Sequence, residues 1–291
     1  MRTKPRRWHI GLCVVTLAFV LPAASSVLAE GRSFAPIDFP GATSTHAWGI
    51  NSRGDIVGLY TASDGTTHGF LLVGGEFAPV EVPGAVATQA FGINTQGDLV
   101  GDYTLPDQSL HGFLLSADTF TTIDVPGAIR TSPAAITPLG DILGDYTAAD
   151  GARHGFLLTG KGFTTIDVPG AVATVPGKIS RCGDIAGGYR TTADDVIHSF
   201  LLRDGEFTSL PEVPDAISTI ALGLNSRGKI VGRYQDAGGV THGFLLSRGQ
   251  FTTIDFPGGV FTDATDINDD GDIVGRYRGD DGVFHGFLLN R

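Results

Sequence analysis

The sequence predicts an all-β fold: a six-bladed β-propeller with four strands per blade, closed by the N-terminal strand pairing into the last blade. Three observations predict it. One run of residues recurs six times, each copy divides into four short strand-like segments, and the first and last copies are out of phase by one strand.

The copies open at Phe34, Phe77, Phe120, Phe163, Phe207 and Phe251, with spacings of 43, 43, 43, 44 and 44 residues. They fill residues 30–291, which are read as one domain without linker or tail. Within a copy the first strand is Thr-x-Ala-x-Gly-Ile-Asn, as in residues 45–51, and the second is Gly-Asp-Ile-Val-Gly-x-Tyr, as in residues 54–60. The third is His-Gly-Phe-Leu-Leu, as in residues 68–72, and the fourth is Phe-Thr-Thr-Ile-Asp-Val, as in residues 163–168. Turn formers separate them: Asn51-Ser52-Arg53-Gly54, Ser63-Asp64-Gly65, Gly74-Gly75 and Pro83-Gly84. Both faces of the strands carry apolar residues, as at Ile56, Val57 and Tyr60, which suits a sheet held between two neighbouring sheets. The chain beyond residue 29 begins with a fourth strand, residues 34–39, and ends with a third, residues 285–289. Pairing the two removes an exposed edge.

Residues 1–29 read as a secretory signal peptide: Arg2, Lys4, Arg6 and Arg7 precede a short apolar run over 10–21, and Val27-Leu28-Ala29 offers a cleavage site. The apolar run is too short to span a bilayer. The protein is therefore expected to be secreted, periplasmic or extracellular, with no membrane span. Of 20 Lys and Arg, four leave with the leader, so 16 bases face 31 acids and the mature charge is −15. Such a surface repels phosphate backbones, which argues against nucleic-acid partners.

The recurrent Ile-Asp-Val-Pro-Gly, Gly-Ile-Asn-x-x-Gly-Asp-Ile-Val-Gly-x-Tyr and His-Gly-Phe-Leu-Leu segments resemble the HAF repeat family of extracellular bacterial proteins, over essentially the whole mature chain. His-Gly-Phe stands five times and His198-Ser199-Phe200 once where that family has His-Ala-Phe. The resemblance implies export and a repeat fold, and it implies no activity.

Six histidines share one repeat position: His68, His111, His154, His198, His242 and His285. Counting symmetrically about the Gly74-Gly75 tip sets His68 opposite Glu81, and likewise His111 opposite Asp124 and His154 opposite Asp167. A group present in every copy serves the fold, whereas a site needs asymmetry. The segment 266–272 resembles the start of a calcium loop, but Tyr277 stands where the closing Glu belongs, so an ordinary turn is expected and no metal is assigned. The 42 glycines fall at repeat positions and form no phosphate loop, and no Gly-x-Ser-x-Gly occurs, so no cofactor and no catalytic residue are assigned.

Asymmetry is concentrated on the first strand of each copy, expected to line the channel. The position after the constant Thr reads His46, Gln89, Ser132, Val175, Ile220 and Asp263; two residues on it reads Trp48, Phe91, Ala134, Gly177, Leu222 and Thr265. Lys178 and Asp266 interrupt a position that is otherwise Gly or Ala. The candidate binding residues are therefore His46, Trp48, Gln89, Phe91, Lys178, Asp263 and Asp266, at the channel mouth on the Pro-Gly side. The leading function is a non-enzymatic binding or interaction module with an extracellular glycan or protein as partner. The alternative is a glycan-active hydrolase or lyase using Asp263 and Asp266 at that mouth.

Overall fold

The structure, a computed structural model, describes residues 32–192 and 196–291; the expected leader lies outside the described residues. The described residues are all-β and form 24 strands. β1 (Phe34–Ile37) precedes the first full repeat, β2 (Ser44–Ile50), β3 (Ile56–Thr61), β4 (Thr67–Val73) and β5 (Glu76–Val80), which pair antiparallel in that order. β6 to β21, between Ala87 and Ile254, repeat the arrangement four times. The last copy holds only β22 (Phe261–Ile267), β23 (Ile273–Arg278) and β24 (Phe284–Leu289). β1 supplies its fourth strand, in the register Phe34↔Leu289 to Ile37↔Gly286, so the two ends of the chain meet as their phase requires.

Each recurrent residue type has a structural cause. The Phe of His-Gly-Phe (Phe70, Phe113, Phe156, Phe200, Phe244 and Phe287) is fully buried in every copy. A Cβ at Gly58 would overlap the His46 carbonyl oxygen and stand 2.7 Å from the Phe70 ring, so the Gly of Ile-Val-Gly is the space that ring occupies. The constant Thr is buried, and its Oγ1 accepts the N–H that opens each Pro-Gly turn: Phe39 to Thr45 at 2.9 Å, Val82 to Thr88 at 3.1 Å, and likewise in the other four copies.

Asparagine joins one copy to the next. Asn51 Nδ2 donates to the Asn94 carbonyl (3.0 Å), Asn225 to that of Asn268 (2.9 Å), and Asn268 to that of Asn51 (3.3 Å), which ties the last repeat to the first. Asn268 Oδ1 meanwhile accepts the N–H groups of Gly271 and Asp272, both at 2.9 Å, so the calcium-like segment is folded as a turn by its own side chain.

All six histidines face the expected acid. Nδ1 lies 3.2 Å from Glu81 at His68, 2.9 Å from Asp124 at His111, 2.8 Å from Asp167 at His154, 3.2 Å from Glu212 at His198, 2.9 Å from Asp255 at His242 and 2.8 Å from Asp38 at His285. Each imidazole also packs on the Tyr of the neighbouring strand, for example His285 on Tyr277 at 5.1 Å. Burial by itself would lower the His285 pKa, but the hydrogen bonds and charges of Asp38 and Asp281 outweigh it and raise the value. The stability from this pair is thus full below the unfolded histidine pKa and is lost as pH rises through the folded one. His285→Gln is expected to destabilise the fold more at pH 5.5 than at pH 8.5, by at most about 1 kcal/mol for so exposed a pair, and to lower the melting temperature accordingly. Equal losses at both pH values, read by differential scanning calorimetry, would contradict this.

Candidate functional site

The first strand of each copy runs from its Pro-Gly turn (Pro214-Asp215 in the fifth copy) to its Asn turn (opened by Thr137 and Ser180 in the third and fourth), so positions along it map onto depth. The structure accordingly divides the seven candidate residues among three places. Near the Asn turns, a funnel of about 100 Å³ is lined by residues of all six copies, among them Lys178 and Asp266. Lys178 Nζ donates to the carbonyl oxygens of Phe91 (2.7 Å) and Ala134 (3.2 Å) and lies 3.3 Å from Asp266 Oδ2. Asp266 also accepts the N–H groups of Ile50 (3.1 Å) and Ile267 (2.9 Å). Burial pushes the Asp266 pKa up, and the Lys178 charge pulls against it. All three ammonium protons are engaged, so this pair is a strut across the channel rather than an open receptor.

Toward the Pro-Gly turns the structure gathers His46, Trp48 and Asp263 around a residue that the sequence reading passed over, Arg276. Its Nη1 donates to His46 Nδ1 at 3.0 Å, and its Nε and Nη2 each lie 3.3 Å from Asp263 Oδ2. The guanidinium stands 5.0 Å from the Trp48 ring centre, 5.7 Å from Phe261 and 5.2 Å from Phe284. Phe91 closes the other side of Trp48, edge to face at 5.8 Å. Arg233 Nη1 reaches the same Asp263 oxygen at 3.1 Å. Gln89 belongs to another sector, where Nε2 donates to Asp102 Oδ1 at 3.3 Å.

Asp263 is fully buried, and its Oδ1 has no hydrogen-bond partner; the indole Nε1 of Trp48 is likewise buried without one. Burial, and next the Arg276 charge, lower the His46 pKa to about 4. The imidazole is therefore neutral at physiological pH, accepting at Nδ1 with its proton on Nε2. Because the folded pKa is depressed, the sector is weakened as pH falls from about 6.5 toward about 4 and is unaffected above that window.

Arg276 had a signal in the sequence. Strand register sets His46 opposite Leu59, Gln89 opposite Asp102, Ser132 opposite Asp145, Val175 opposite Gly188, Ile220 opposite Arg233, and Asp263 opposite Arg276. The variable residue of Gly-Asp-Ile-Val-Gly-x-Tyr is thus the cross-strand partner of the variable residue on the first strand.

No protein-family model matches the chain, and no curated protein matches it. Solved structures do. AofleA from Arthrobotrys oligospora superposes with a TM-score of 0.56 at 14% identity, covering 91% of this chain and 89% of that one. The Aleuria aurantia lectin, described as a six-bladed β-propeller with a novel fucose recognition mode, gives 0.53 at 13% identity over 84% and 91%. The gluconolactonase XC5397 from Xanthomonas campestris gives 0.53 at 15% identity over 94% and 99%. The architecture is a β-propeller. Identity this low carries the fold and nothing about ligand or reaction.

The alternative enzymatic reading named Asp263 and Asp266 as its carboxylates. They share no partner: Asp263 is held by Arg233 and Arg276, and Asp266 by Lys178 and two backbone N–H groups. No helix among the described residues is long and apolar enough to cross a membrane.

Proposed function

We propose that the chain is an exported HAF-repeat propeller of six blades, closed by β1, and that it binds extracellular carbohydrate at its Pro-Gly mouth without transforming it. The observation that carries this is the sector built by His46, Trp48, Asp263 and Arg276. It places an indole, a neutral imidazole and a fixed guanidinium side by side at the one part of the mouth where the first and last copies meet. Sugars present apolar C–H faces to aromatic rings and hydroxyls to fixed donors and acceptors, and this sector offers both. The β1–β24 pairing and the Asn268–Asn51 bond support closure. The N-terminal segment of residues 1–29 and the −15 mature charge support export and a partner other than nucleic acid. The fold likeness to lectins is consistent with this reading and adds no residue to it.

Apart from Trp8 in the expected leader, Trp48 is the only tryptophan, so its emission reports on this sector alone. A glycan array on the mature protein, followed by fluorescence titration of the hits, is expected to perturb that emission. Trp48→Ala is expected to weaken binding about tenfold or more, as loss of an aromatic anchor does. A glycan that binds with Trp48 unperturbed and with full affinity for the Trp48→Ala variant refutes the assignment. A protein partner is the second reading, favoured by one feature: Val86, Ile129, Val172, Ile217 and Val260 recur exposed on the Pro-Gly turns that rim the mouth.

A further inference from the structure

We infer that the ligand of this mouth is an acidic glycan, a uronate-class sugar whose carboxylate is received by Arg233 beside the Asp263–Arg276 pair. The inference rests on the carbohydrate-binding reading and narrows it.

The residue before the constant Tyr lies between its own repeat and the next, as its contacts show: Asp102 meets Ser132, Arg233 meets Asp263, and Arg276 meets His46. The six residues at this position are Leu59, Asp102, Asp145, Gly188, Arg233 and Arg276, so four of six interfaces are charged. In the second and third repeats the charges balance. Asp145 takes two bonds from Arg153, at 2.6 and 2.9 Å, and Arg130 lies 3.9 Å from Asp102 and 3.8 Å from Asp145. In the fifth and sixth repeats they do not: two guanidiniums converge on the single carboxylate of Asp263.

That carboxylate is used asymmetrically. Oδ2 takes all three N–H bonds, and Oδ1 takes none. A fully buried carboxylate with one orphaned oxygen is costly to the fold. What it achieves here is to fix two arginines in orientation. Arg276 is used up, its remaining Nη1 being engaged by His46. Arg233 is not. It gives one N–H to Asp263, has no other hydrogen bond among the described residues, and its side chain is 34% exposed. A planar guanidinium anchored on one side and open to water on the other matches a carboxylate through two parallel N–H···O bonds. The Trp48, Phe261 and Phe284 rings, which stand around the neighbouring Arg276 guanidinium, supply the surface for the sugar ring. The −15 mature charge opposes an anion at long range. Screening over about 8 Å at physiological salt confines that opposition and leaves the contact to decide.

The test uses the full mature protein and an array that pairs uronate tetrasaccharides (galacturonate, glucuronate, mannuronate and guluronate) with their carboxyl-reduced neutral counterparts. Hits are quantified by titration calorimetry for the native chain and for Arg233→Gln, Arg233→Lys and Arg227→Gln, with melting curves confirming folding. Arg227 is an exposed arginine on an Asn turn and controls for bulk charge. At least one acidic member is expected to bind about tenfold or more tighter than its neutral counterpart, the loss typical of one charge-assisted pair. That preference is expected to vanish in Arg233→Gln, shrink in Arg233→Lys because the fork is lost, and survive in Arg227→Gln. A neutral member binding as tightly as its acidic counterpart, or a preference that survives Arg233→Gln, overturns this inference while carbohydrate binding stands. An array blank for every glycan, acidic and neutral, overturns both.

Discussion

Lys178→Met is expected to lower the stability of the mature protein by about 3–5 kcal/mol, the cost of leaving a buried charge without its partner. The methylene stem is retained, so the loss isolates the ammonium. Without it, the Phe91 and Ala134 carbonyls lose a donor, and Asp266 keeps only the N–H groups of Ile50 and Ile267. The sign of the pH dependence follows from Asp266. Its folded pKa is raised by burial, against the pull of Lys178, so the folded state holds the carboxyl proton more tightly than the unfolded chain does. Removing Lys178 raises it further. Stability of the variant is then greatest below the unfolded carboxylate pKa and declines as pH rises through the folded one, so its deficit against the native chain widens from pH 4 to pH 8. Adding Asp266→Asn to Lys178→Met removes the stranded charge and is expected to recover a large part of the loss. Urea melts at the two pH values provide the check. A single-variant deficit below about 1 kcal/mol would mean that water in the funnel solvates Asp266 and that the strut has no role in holding the repeats together.

The strut also marks the boundary between what the sequence showed and what it hid. Everything set by the repeat was legible. The constant Thr, Gly, Phe and His positions each answer to a single local cause present in every copy, so six copies state the same strand pattern and the phase mismatch between residues 34–39 and 285–289 foretells the β1–β24 register. The symmetric count about Gly74-Gly75 found the His–acid pairs for the same reason, because hairpin geometry is local. The site was only half legible. Lys178 and Asp266 belong together, but their side chains cross from repeat four to repeat six, and nothing in a repeat alignment reports a contact across the axis. Arg276 was missed although its cross-strand partner, Asp263, was singled out. A variable residue inside a recurrent strand reads as tolerance until it is paired about the Asn turn with the variable residue opposite. Lys178 and Asp266 stand one position further along the first strand than Trp48 and three further than His46, and that step sufficed to put them in the funnel rather than around Arg276.

Asp102→Asn is expected to stabilise the protein at neutral pH by about 3 kcal/mol and to change little near pH 4. Asp102 is almost fully buried. Burial raises its pKa from 3.8 to about 6; the Ser132 hydrogen bond and the Arg130 charge oppose the rise, and the Asp145 charge adds to it. A raised carboxyl contributes its full stability below pH 3.8, where both states are protonated, and loses it as pH climbs through about 6. A rise of about two units at about 1.36 kcal/mol each gives the magnitude. Asparagine carries no charge to desolvate. Its Oδ1 still accepts from Ser132 Oγ, now at 2.7 Å, and the Gln89 amide, 3.3 Å away, can turn its oxygen toward the new Nδ2. For a domain of this size, about 3 kcal/mol corresponds to a rise in melting temperature of about 6–12 °C at pH 7.5, shrinking toward zero at pH 4. An equal shift at both pH values would assign the effect to packing instead, and a lower melting temperature at pH 7.5 would show that Arg130, 3.9 Å away, already neutralises the carboxylate.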